Sequence, residues 1–129
     1  MAAARRVLAA GPPLRLAVLF GSRATGTARD GSDFDIAILP ADPELTLHAE
    51  LELAAALSSA LSAEVDLVRL DHASTLLRWQ IARDGVPLVT ADHEWTRFRA
   101  TAASDHAEIA DGLANAARLF HRHLVKPAS

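Results

Sequence analysis

The chain has no cysteine, no tyrosine, one methionine and one lysine, Lys126, in 129 residues. Lacking cysteine, it has no disulfide framework to fold around, and the length must supply one domain with a core of its own. A single domain over residues 1–129 is therefore expected. The missing thiols leave the compartment open, with the cytoplasm as the default expectation. An excess of base is also lacking: sixteen acids against thirteen bases give a formal charge of −3. No basic field meets a phosphate backbone, so direct nucleic-acid binding is not expected. No apolar run approaches a membrane span, and Pro12, Pro13 and Arg15 break up the N-terminal stretch that would have to serve as a signal peptide.

What is present is an ordinary globular composition, 50% hydrophobic and 22% charged, which argues for a folded chain. Proline and glycine punctuate it locally. A short helix over Ala2 to Ala10 ends at Gly11-Pro12-Pro13. "LRLAVLF" (Leu14 to Phe20) and "FDIAIL" (Phe34 to Leu39) are short, apolar and bounded by turn residues, the pattern of strands. Leu47, Leu51, Ala54, Leu57 and Leu61 follow a helical period, and "EVDLVRL" (Glu64 to Leu70) is strand-like again. A further helix over Ser74 to Arg83 stops at Gly85, "VPLVT" (Val86 to Thr90) forms a brief strand, and a long helix follows over about 93–124. The class is α/β (α+β), with a core over about 7–92.

Between the first two strands lies "GSRATGTARDGSDFD", Gly21 to Asp35. In "DFDIAIL" the two-residue period puts Asp33, Asp35 and Ala37 on one face and Phe34, Ile36 and Ile38 on the other. One face suits a core; the other carries two carboxylates about 7 Å apart that repel and resist desolvation. A metal ion is the simplest remedy. Asp66, set between Val65 and Leu67 in a later strand, allows a third carboxylate to converge on the pair. Hard oxygen ligands of this kind suit Mg²⁺, which joins a few carboxylates to substrate phosphates. Gly21 and Ser22 end a strand where the backbone turns sharply and its N–H groups can approach a phosphate. The stretch lacks the Gly-Lys-Ser/Thr ending of a Walker A loop, the spacing of a dinucleotide fingerprint and the Glu of a calcium loop.

Gly21-Ser22, ten residues, then Asp33-Phe34-Asp35 resembles the GS-x10-DxD signature of the nucleotidyltransferase superfamily related to DNA polymerase beta, with Asp66 matching its third acid. The short length, "GSRATG" and "ARDGVPLV" are most similar to the minimal nucleotidyltransferases, many of them antitoxins paired with HEPN-domain RNase toxins. The resemblance spans about residues 7–124. It implies the nucleotidyltransferase fold: a small mixed sheet with helices packed on one face and a long C-terminal helix. It also implies two-metal nucleotidyl transfer, with Asp33, Asp35 and Asp66 as catalytic residues holding two Mg²⁺ ions. Gly21, Ser22 and Arg23 would bind the nucleotide phosphates, with ATP as substrate. Thr25 departs from the pattern, since many relatives carry arginine there. In antitoxin relatives AMP goes to a tyrosine of the partner toxin, and a chain without tyrosine cannot modify itself in that way. The expected function is adenylylation of a HEPN-family RNase partner. The alternatives are a catalytically silent antitoxin acting by occlusion and a transferase acting on a small molecule such as an antibiotic.

The six histidines give no zinc spacing: His121 and His123 are two apart on a helix and point to nearly opposite sides. Arg118 and His123 resemble the RNase motif of the partner family, a coincidence in a chain without its helical bundle. In the last helix Trp95, Phe98, Ala102, Ile109, Leu113, Ala116, Phe120 and Leu124 recur at mostly three- or four-residue steps. Its first half is expected to pack on the domain, and Leu113 to Leu124 on a partner or second copy.

Overall fold

The computed structural model describes residues 1–29 and 31–125, the side chains of 122–125 excepted. Helix α1 (Ala2–Ala10) leads into β1 (Leu14–Phe20), a one-turn helix α2 (Ser22–Thr25) and β2 (Phe34–Pro40). Then come α3 (Leu47–Leu61), β3 (Val65–Arg69), a 3-10 turn (Leu70–His72), α4 (Thr75–Asp84), β4 (Val86–Thr90) and α5 (Glu94–Val125). The sheet order is β3-β2-β1-β4, with β2 and β3 parallel and β1 antiparallel to both β2 and β4. Helix α3 is the crossover that the parallel pair requires.

Both central strands read as near-continuous apolar runs because both of their faces are buried. On one face Ala17, Leu19, Ile36 and Ile38 pack with Ala4 and Leu8 of α1 and with Leu53 and Leu57 of α3. On the other, Leu16, Val18 and Ala37 pack with Leu70, Ile81 and Ala82 and with Phe98 and Ala102 of α5. The α/β class and the long terminal helix stand as expected, but helices cover two faces of the sheet, not one. The near-continuous apolar runs of β1 and β2 leave no polar face in mid-strand to expose, and α4 and α5 fill the second side.

Local chemistry sets the helix boundaries. The Thr46 and Ser74 side chains accept from the Ala49 and Leu77 amides at the starts of α3 and α4. Gly85 follows α4 with extended backbone, and a Cβ there would collide with the Ile81 carbonyl and with Val18. The leucine spacing of α3 marks the helix but not its buried side: Leu53 and Leu57 are buried, while Leu47 and Leu51 are exposed. At the head of α5, Glu94 is buried and accepts from Arg15 of β1 at 2.6 and 2.9 Å and from Arg97 at 3.0 Å. That network fastens the helix to the sheet. Beyond it α5 runs unbroken through Gly112, 32 residues in all, or about 48 Å at 1.5 Å per residue.

Candidate active site

The alternation seen in the sequence sets the site. Phe34, Ile36 and Ile38 turn into the α1/α3 side, so Asp35 and Ala37 share the opposite face. The parallel register pairs Asp35 with Asp66, putting two carboxylate-bearing residues side by side on neighbouring strands. Phe20 is the register partner of Asp35 on the other side, and the chain leaves the sheet one residue later at Gly21. The carboxylates on β2 and β3 and the turn after β1 therefore lie at one end of the sheet. Asp33 precedes β2 and is exposed, as is Asp66, whereas Asp35 is half-buried.

Gly21 answers to two constraints at once. Its φ is +73°, and a Cβ built on it would overlap the Asp35 carboxylate. Only glycine lets the turn pass this close to the acid. Ser22 opens α2, whose Ala24 and Thr25 amides both donate back to the Gly21 carbonyl.

Two arginines hold the strands that carry the acids. Arg23 donates from Nη2 and Nε to the Ser32 carbonyl at 2.8 and 3.3 Å and lies 4.4 Å from the centre of the Phe34 ring. It braces the segment leading into Asp33. Its Nη1 makes no hydrogen bond to the described residues, so the guanidinium keeps donors free beside the turn. Arg69, three residues after Asp66, reaches Glu50 at 2.9 Å, Asp71 at 2.6 and 2.9 Å and the carbonyls of Pro43 and Leu45. It ties the end of β3 to α3 and the loop before it, and its guanidinium holds the Asp71 carboxyl below the usual carboxylate range.

Asp35 is the strained member of the acidic set. Burial, then the nearby Asp66 and Asp33 carboxylates, push its carboxyl above the usual range. Among the described residues none of these three acids pairs with a basic side chain within 4 Å. Nor do any three His, Asp or Glu side chains already close into a ready-made metal cage. Unneutralised carboxylates on an open surface fit a cation that keeps part of its water and takes its remaining ligands from a substrate.

A glycine turn beside paired strand carboxylates, on a four-stranded mixed sheet, defines a nucleotidyltransferase. The Polymerase beta, Nucleotidyltransferase family profile matches residues 4–94, and the chain belongs to that family. It is 40% identical over 119 residues to the protein adenylyltransferase MntA of Shewanella oneidensis, covering 86% of this chain and 85% of that one. With the MntA of Aphanizomenon flos-aquae it shares 32% over 114 residues, 81% and 76% of the two chains. Among solved structures, a toxin–antitoxin complex with AMP-PNP superimposes at a TM-score of 0.77 with 36% identity, over 92% of this chain and 97% of that one. The antitoxin complexed with a tri-AMPylated Shewanella oneidensis HEPN toxin gives 0.63 and 35%, over 84% and 85%.

Proposed function

We propose that this protein is an antitoxin that transfers AMP from ATP to a tyrosine of a HEPN-family RNase toxin, with Asp33, Asp35 and Asp66 as its catalytic residues. The observation that carries the reading is the parallel pairing of Asp35 with Asp66 beside a turn that only glycine can make. Relatives covered over 85% and 76% of their length that bear the name protein adenylyltransferase, and a neighbour in complex with an AMPylated toxin, support the choice of AMP and of a toxin acceptor.

Two Mg²⁺ ions, when bound by Asp33, Asp35 and Asp66, would supply acidification of the acceptor hydroxyl and neutralisation of the departing phosphates. The chain's residues do the rest. Asp33 and Asp35 would hold those ions at the strand edge beside the α-phosphate, and Asp66, on the acceptor side, takes the hydroxyl proton. Gly21 and Ser22 offer backbone and hydroxyl donors to the β- and γ-phosphates. Arg23 keeps the loop before Asp33 in register.

The far half of α5 supports a protein acceptor. From Ala107 to His121 every residue is exposed, and Ile109, Leu113 and Phe120 lie on one helical stripe, Leu113 and Phe120 each 66% exposed. The stripe's last member, Leu124, has its side chain outside the described residues, as does His123. We assign this stripe to the toxin. Leu113→Asp with Phe120→Asp should then abolish co-purification of the toxin while leaving the melting temperature of the chain unchanged; a retained complex by light scattering contradicts the assignment.

Labelled ATP tests the transfer. Label in the α-phosphate should appear on the toxin and label in the γ-phosphate should not, with both absent for Asp33→Asn. Neutralisation of the RNase by that variant, without label, would favour inhibition by occlusion.

A further inference from the structure

In-line transfer puts the attacking and leaving oxygens on opposite sides of the α-phosphorus. On the reading above, Asp66 on β3 marks the acceptor side and Asp35 on β2 the phosphorus, and the leaving group then points along the sheet order, toward β1 and β4. Gly21, at the end of β1, is the first residue met in that direction. Past it opens a cavity of about 310 Å³ lined by Phe20, Gly21 and Thr25 and by Leu77, Gln80, Arg83 and Asp84 of α4. Phe20 belongs with the apolar cluster on the α4 side of the sheet and is the register partner of Asp35, so the cavity and Asp35 share one face.

We propose that this cavity receives the β- and γ-phosphates of the donor and then the departing pyrophosphate, and that Arg83 is the cation that neutralises them. The assignment rests on the nucleotidyl-transfer reading above. In the step concerned, the acceptor oxygen bonds to the α-phosphorus and the bond from that phosphorus to the bridging oxygen breaks. Its electron pair leaves on pyrophosphate, and the hydroxyl proton passes to Asp66.

The charge that collects on the leaving group needs a partner at that end of the site. Arg23 is not among the residues that line the cavity, and Arg83 is the one cation that is. Its side chain is 54% exposed, and both of its hydrogen bonds, 2.7 Å from Nη2 and 3.0 Å from Nε, go to a single oxygen of Asp84. Nη1 makes no hydrogen bond to the described residues. An exposed pair of this kind contributes little to folding, so it can be exchanged for a polyanionic phosphate, with the Gln80 amide alongside as a further donor.

The test is calorimetry of the full chain with Mg²⁺ and AMP-PNP, pyrophosphate or AMP, on wild type, Arg83→Gln, Arg83→Lys and Asp84→Asn. The proposal expects Arg83→Gln to lose about tenfold in affinity for AMP-PNP and pyrophosphate, the size of one charge-assisted hydrogen bond. AMP, which lacks the leaving group, should bind unchanged. Arg83→Lys should retain part of the affinity, and Asp84→Asn, which frees the guanidinium, should match or exceed wild type. Equal AMP-PNP affinity for Arg83→Gln and wild type overturns the proposal. So does an Asp84→Asn loss equal to that of Arg83→Gln, which would mark the pair as structural. A wild-type chain that binds AMP-PNP but transfers no AMP would instead overturn the functional reading and leave Arg83 as a phosphate ligand.

Discussion

Asp35 is where folding and chemistry pull apart. Its carboxyl is pushed upward by burial and by two like charges, so the folded chain holds that proton more tightly than the unfolded chain does. Stability from this group is full below the ordinary carboxylate pKa and is lost as pH rises through the higher folded value. Metal-free protein at neutral pH therefore bears a standing cost at Asp35. Asp35→Asn should melt higher than wild type at pH 7 without metal, by a few degrees, and the gap should close on acidification toward about pH 4. Thermal denaturation across that range checks it; a variant that melts lower than wild type at pH 7 contradicts the assignment of strain. The acidic residues and the glycine-serine turn were legible in the sequence because a two-residue period and a short loop are local properties. The roles of arginines were not. Arg23 sits beside the motif and also braces the loop through Ser32, whereas Arg83, far away in sequence, lines the same cavity as Gly21 only because of where α4 folds.

Secondary-structure elements followed their local signals closely, and their orientations did not. Each strand was marked by an apolar run with turn residues at its ends, and Gly85 marked the junction of α4 and β4. The direction in which a helix faces depends on what covers it. Leu47 and Leu51 share the helical period of α3 but point outward, and Leu76 of α4 is exposed while Ile81 and Ala82 are buried. Helices on both sides of the sheet were signalled by the near-continuous apolar runs of β1 and β2, while which helix covers which side was not. Gly85 gives the sharpest element-level prediction, since an added methyl would meet both the Ile81 carbonyl and Val18. Gly85→Ala should destabilise by about 1–3 kcal/mol, the usual cost of overpacking, read as a shifted midpoint in urea denaturation. An unchanged midpoint would mean that the junction yields freely.

At the scale of the whole molecule, one sheet end brings together residues from β1, β2 and β3, with α4 closing the side toward which a leaving group departs. No described helix is long and apolar enough to cross a membrane, and α5 extends well past the sheet with Ile109, Leu113 and Phe120 exposed. The site proposed for catalysis and the surface proposed for docking lie in separate parts of one short chain, so losing one need not remove the other. That separation makes a single comparison decisive: the intact mass of the HEPN-family toxin after incubation with ATP and Mg²⁺, beside either wild-type chain or an Asp33→Ala, Asp35→Ala variant. The account predicts toxin heavier by whole AMP units with wild type and unmodified toxin with the variant, although both chains bind it. Unmodified toxin in both samples, starting from toxin shown to be unmodified and with a stable complex in each, would contradict adenylyl transfer as this protein's activity.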